Sequence, residues 1–266
     1  MFPDFDGFAR LRAHDRSYIE PDVQDYLQRG IEAHQEGKWE GAIVYYDEVI
    51  SLEPDNPTLA EAYYYHADAY RLAYGVDKVD EVITEYNTVI ELEPDNPRGY
   101  ERRGFTYLFG KGEIDLAIED YDKMIELEPY AAEGYARRGF AYLSKGEIDW
   151  AIQDYTWAIR LDPNNATDYT NRAGAYLDRW DFDLAINDYT KAIELKPDDN
   201  INYHCRGLVW LRLQDWENAK TDFATAQNKG LDITNFVHDH YETVEKFEEE
   251  IGVELPEDIV EMLIKK

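Results

Sequence analysis

The chain of 266 residues holds a single cysteine, Cys205. No intrachain disulfide can form, so the fold must rest on burial, which suits a reducing compartment. Serine is nearly as scarce. Ser17, Ser51 and Ser144 are the only three, and none sits in a G-x-S-x-G turn, so the serine-hydrolase elbow is excluded. Basic residues are outnumbered, with 27 Lys and Arg against 57 Asp and Glu and a formal charge of -30. Such a field repels nucleic-acid phosphates and anionic membranes and favours partners of basic character. No run approaches the ~18 apolar residues of a membrane span. The opening MFPDFDGFARLRAHDRSY lacks the apolar core of a secretory signal. The expectation is a cytoplasmic protein with no nucleic-acid partner, no membrane insertion and no cofactor.

What the chain has in quantity is tyrosine, 22 copies, and they recur. Tyr26, Tyr63, Tyr100, Tyr135, Tyr169 and Tyr203 open successive units. Four residues after each comes a small one: Gly30, Ala67, Gly104, Gly139, Ala173 and Gly207. In all but the first unit an aromatic ring follows three further on, at Tyr70, Tyr107, Tyr142, Tyr176 and Trp210. The i, i+4, i+7 spacing marks one face of a helix. A short turn then leads to a second helix with a small residue at Ala42, Val82, Ala117, Ala151, Ala185 or Ala219, and a ring four residues later at Tyr46, Tyr86, Tyr121, Tyr155, Tyr189 or Phe223. Small residues let two helix axes approach, and the rings fill the space around the contact. Gly139 is expected to meet Ala151 at such a crossing. Pro54, Pro94, Pro129, Pro163 and Pro197 then stop the second helix, because proline disfavours helix at the residue before it.

This order of aromatic, Gly, Tyr, Ala, ring, Ala and Pro in units near 34 residues resembles the tetratricopeptide repeat. The resemblance implies an all-α fold, a right-handed superhelical solenoid of antiparallel helix pairs with a C-terminal capping helix. The expected organisation is an N-terminal extension (1–22), six repeats (23–233) and capping helices (234–266). Phe236, His240, Val244 and Phe247 give the cap its apolar stripe. The second unit is about six residues longer than the rest, partly near TLAEAYYYHADAYRLAYGVDKVDEV, and the third has one extra residue in FGKGE.

The resemblance also implies a concave groove lined by first helices. Its candidate partner-binding residues are Tyr64, Asp68, Arg71, Arg98, Glu101, Phe105, Leu108, Phe140, Leu143, Thr170, His204 and Leu208. Phe105, Leu108, Phe140 and Leu143 read as an exposed apolar patch, the kind of surface that binds partners. The Lys and Asn residues with which some family members grip a chaperone's C-terminal carboxylate are missing. A second repeated set pairs Arg with Asp across each of the last four units: Arg103 with Asp120, Arg138 with Asp154, Arg172 with Asp188, and Arg206 with Asp222. Each cation comes with its own acid, so these read as structural ion pairs rather than an anion site.

Catalytic constellations do not emerge. His204 and Cys205 are adjacent, and adjacent helical side chains diverge. His238 and His240, two apart on a helix, point away from each other as metal ligands would not. GKGE at Gly110 lacks the Ser or Thr and the preceding strand of a phosphate loop. The sequence therefore reads as a non-enzymatic interaction scaffold that docks a peptide or protein surface. Self-association, or regulation of an enzyme encoded elsewhere, is the alternative.

Overall fold

A computed structural model describes residues 22–233 and 243–264. The expected N-terminal extension, but for Asp22, and the stripe residues Phe236 and His240, with His238, lie outside the described residues. The chain divides into two compact units, Met1–Lys111 and Gly112–Lys266. All regular structure among the described residues is helical, in antiparallel pairs packed in tandem. This is the fold class expected from the repeat.

The first unit contains α1 (Val23–Gln35), α2 (Trp39–Ser51), α3 (Asn56–Tyr74), α4 (Val79–Leu92) and α5 (Pro97–Thr106). The first helices α1, α3 and α5 each start on a side-chain cap, while α2 and α4 have none. Asp55 accepts from the Thr58 amide at 3.1 Å, and Asn96 accepts from the Arg98 amide at 3.1 Å, each satisfying an amide that the first turn leaves open. Ala42, Tyr46, Val49, Ala62 and Ala69 share one core cluster, and Ala67, Val82, Tyr86 and Val89 another. The two irregularities in the repeat take definite forms. The long second unit lengthens α3 to 19 residues and adds a 3-10 turn, Gly75–Lys78. The extra residue of the third unit becomes a π-helical turn, Tyr107–Lys111. One inserted residue in an α-helix widens the ring of one turn in this way, and such turns concentrate at functional sites.

The second unit runs α6 (Ile114–Leu127), α7 (Ala132–Lys145), α8 (Ile148–Leu161), α9 (Ala166–Asp178), α10 (Phe182–Leu195), α11 (Asn200–Arg212), α12 (Trp216–Asn228), α13 (Val244–Ile251) and α14 (Glu257–Ile264). Gly146 closes α7 at φ 83, a left-handed value, and Trp180 (φ 66) and Gln214 (φ 58) stand at the same repeat position without glycine's freedom. The last two helices act as a cap. Val244, Phe247, Leu255, Ile259 and Leu263 form one buried cluster with Leu211, Phe223 and Ala226 of the last repeat. Lys220 of α12 pairs with Asp258 of α14. A terminal repeat left bare would expose this apolar face to water.

A Cβ on Gly139 would meet Asp154 Cβ and the Tyr155 ring, each at 3.3 Å, so this glycine lies tightly against the second helix of its own pair. Gly139→Leu is expected to cost about 1–3 kcal/mol through overpacking, read as a lower midpoint in urea unfolding. An unchanged midpoint would refute the contact.

Candidate functional site

The repeated arginines are held on several sides. Arg138 donates from Nε and Nη2 to the two oxygens of Asp154 at 2.7 and 2.8 Å, and from Nη1 to Asp122 at 2.6 Å. Arg172 makes the same fork to Asp188 (2.7 and 2.9 Å) and reaches Thr156 at 3.1 Å. Arg206 makes it to Asp222 (2.8 and 2.8 Å) and reaches Thr190 at 2.8 Å. Each arginine thus ties its own unit's second helix to the preceding one. The tyrosines frame the same group, with Arg138 5.9 Å from the Tyr135 ring centroid and 5.8 Å from that of Tyr142. The leading tyrosine also donates to the carbonyl of the previous unit's proline: Tyr100 to Pro94, Tyr135 to Pro129, Tyr169 to Pro163 and Tyr203 to Pro197. Burial pushes the Asp154 carboxyl up, while the two bonds from Arg138 oppose the shift. In the first unit Arg103 donates to Asn87 at 2.7 Å, and Asp120 of the second unit is buried.

The first-helix surface of the first unit is a second, different arrangement. Tyr64, Asp68 and Arg71 lie on one stripe of α3, and Arg98, Arg102 and Phe105 on one stripe of α5. The Arg98 guanidinium carbon is 4.2 Å from the Tyr64 ring centroid, and Arg102 Nε donates to the Tyr64 hydroxyl at 3.0 Å. Asp68 accepts from Arg71 Nη2 at 2.5 Å and faces His34 Nε2 at 3.3 Å. Burial lowers the His34 pKa, against the raising effect of the Asp68 charge and hydrogen bond. Arg71 lies 5.4 Å from the Phe105 centroid. A polar cavity of about 240 Å³ opens beside Glu61, Tyr64 and Arg98. An apolar one of about 180 Å³ opens beside Arg71, Val76, Val79 and Phe105.

In the second unit Phe140 is 37% exposed and Leu143 half-buried. Thr170 donates to the buried Asn202 at 2.7 Å.

Several candidate residues therefore differ from the expected open groove. Tyr64 and Asp68 are buried, one under Arg98 and Arg102 and the other between Arg71 and His34. Leu108 is buried as well. His204 is buried, its ring 5.5 Å from Phe223. Leu208 is half-buried and packs on the cluster that the last repeat shares with α13 and α14. Phe105 is half-buried in the first unit, and so is Glu101 on the same helix. Sequence reasoning missed Arg102, whose neighbour Arg103 carries the repeat signal, and missed the third partners Asp122, Thr156 and Thr190.

Groups that could do chemistry are poorly placed for it. Burial pushes the Cys205 thiol up to about 11, which leaves it protonated and inert at neutral pH. Gly110 lies in the π-helical turn. No cluster of three or more His, Cys, Asp or Glu suited to a metal occurs among the described residues, and no helix among them is long and apolar enough to cross a membrane.

Two family models of the tetratricopeptide repeat match residues 132–165 and 169–199. The chain is a tetratricopeptide repeat protein. It is 28% identical to MamA over 61% of this chain and 93% of that one, with a TM-score of 0.56. It is also similar to TTC0263, a thermophilic TPR protein from Thermus thermophilus (22% identity, 71% and 100% coverage, TM-score 0.55). A third is YrrB, described as a TPR protein with an unusual peptide-binding site (19% identity, 76% and 98% coverage, TM-score 0.55). The last two likenesses bear on fold alone. Comparison with curated proteins finds no match. The repeat family is one of interaction scaffolds rather than of catalysts.

Proposed function

We propose that this chain is an adaptor whose first-helix surfaces dock a peptide or protein partner, with residues 23–233 as the repeats that bear those surfaces and 234–266 as their cap. The observation that carries the reading is Phe140, a large apolar ring left 37% exposed on the first helix α7. Exposed rings of this kind on an otherwise charged surface act as anchors for partners. Arg71, Arg98, Glu101, Phe105 and Leu143 complete the proposed contact residues on their respective helices. The peptide-binding site ascribed to YrrB is in keeping with it. The negative net charge disfavours nucleic acid as the partner, and the proposed setting is the cytoplasm.

Replacing Phe105 and Phe140 together by Ala should weaken a captured native partner about tenfold or more and leave the far-ultraviolet helical signal intact. Unfolding of that variant would show the rings to be core instead. A second reading, self-association, is favoured by the outer surface of α8, where Trp150 is 55% and Trp157 45% exposed seven residues apart, and by Trp180, 70% exposed. Light scattering over a range of concentrations separates the two: a constant monomer mass refutes self-association.

A further inference from the structure

We infer that the first unit carries a binding strip for an extended acidic peptide with one bulky apolar side chain three to five residues from its acids. This rests on the docking function proposed above and names the partner's chemistry. It runs against the net charge, which alone favours basic partners.

The basic end is Arg98 and Arg102. The chain has 57 acids to 27 bases, and Arg138, Arg172 and Arg206 each hold an aspartate. Arg98 and Arg102 form no ion pair among the described residues; both are held by Tyr64, one over its ring and one at its hydroxyl. A guanidinium resting on an aromatic ring keeps its fork of donors open to a carboxylate. Arg98 and, four residues on, Arg102, whose Nε is given to the Tyr64 hydroxyl, set two guanidinium groups along α5.

The apolar end is made by the two departures from the repeat. The 3-10 turn Gly75–Lys78 and the π-helical turn Tyr107–Lys111 meet there. Gly110 lies so close to Val79 that a Cβ could not fit between them, and Lys111 pairs with Asp80 of α4 at 3.0 Å. Between the turns opens the apolar cavity of about 180 Å³. Val76 and Phe109, 68% and 55% exposed, stand at its mouth, with Val79 and Phe105 inside. The space suits one aliphatic or aromatic side chain. Neither turn is needed to stack the repeat, so their joint product is a pocket.

Residues 98, 102, 105 and 109 follow one helical stripe, so the two ends face the same way. At 1.5 Å per residue they are separated by about 10–16 Å. An extended peptide covers that distance in about three to five residues, which sets the spacing.

The test uses the whole chain against a displayed library of random twelve-residue peptides. Enriched sequences should place Asp or Glu three to five positions from Phe, Leu, Ile or Met. The top peptide, made with blocked termini and a fluorophore, should bind at least tenfold more weakly to Arg98→Ser with Arg102→Ser. It should also bind more weakly to Val76→Asp, whose exposed position leaves folding untouched, and its affinity should fall as salt rises. Enrichment of basic sequences would overturn the inference. So would an acidic peptide that binds wild type and the arginine variant alike with Val76→Asp also neutral. Enriched peptides of other composition that are lost with Phe140→Ala would overturn this strip but keep the docking function. A library yielding no binder would overturn both.

Discussion

Asp154→Ala is expected to destabilise the protein by about 3 kcal/mol, at the lower end of the range for breaking a buried pair. The Asp154 side chain is 3% exposed and that of Arg138 22%. Removing the carboxylate strips two short hydrogen bonds from a guanidinium held between Tyr135 and Tyr142. The loss stays near the lower end because Asp122 still holds Nη1 and part of the charge reaches water. Asp122→Ala is the internal control. Its side chain is 52% exposed, so its removal should cost about 1 kcal/mol or less. Arg138→Met with Asp154→Leu should recover part of the loss, since no charge is then left without its partner. Urea unfolding of the wild type, the single variants Arg138→Met and Asp154→Leu, and the double variant reads the coupling directly. If the double variant is as unstable as the sum of the singles, the fork contributes nothing as a pair, and the arginine row would have to be reconsidered as a ligand site.

What was legible in the sequence was whatever repeats within one unit. Arg138 and Asp154 stand sixteen residues apart, as do Arg172 and Asp188, so the pairing shows as a period in residue type. The third partner is also sixteen residues away, but backwards across a unit boundary. It changes from Asp122 to Thr156 to Thr190, and a position that needs only an acceptor oxygen leaves no single letter to find. The tyrosine-to-proline bond was hidden for a related reason: both residues are conspicuous, but each has a sufficient local explanation without the other. The groove residues were read by position alone. Position predicts which way a side chain leaves its helix, not what closes over it. Arg98 and Arg102 cover Tyr64, and Leu208 packs on a cluster joined by the C-terminal helices, through contacts that no periodicity encodes. The insertions could be counted in the sequence, yet their joint pocket depends on two turns meeting that lie some thirty residues apart.

Asp168→Asn is expected to stabilise the protein at pH 7.5, and to do so progressively less toward pH 4. Asp168 sits in the first turn of α9, is 2% exposed, and its Oδ2 has no hydrogen-bond partner. Nothing in the sequence set it apart from the other acids. Burial first, and the nearby Asp162 charge second, push its carboxyl up to about 6, against the opposing Asn165 side chain. The Tyr155 hydroxyl is likewise buried without a hydrogen-bond partner, and burial, with the Asp168 charge adding to it, raises its pKa. An acid whose folded pKa lies above its unfolded value of about 3.9 binds its proton more tightly in the native state. Below pH 4 both states are protonated and the group is neutral in its effect. Between about 4 and 6 the native state holds the extra proton, so stability falls as pH rises. Above 6 the ionised group costs the full difference, about 2–3 kcal/mol. The amide keeps the shape and removes the charge, so the variant's advantage should grow from near zero at pH 4 to that value at pH 7.5. Taking the difference between variant and wild type cancels the slopes of all other carboxylates common to both. Urea midpoints at four pH values between 4 and 7.5 measure it. An advantage that does not change with pH, or a loss of stability at pH 7.5, would mean that Asp168 is solvated or paired as the carboxylate.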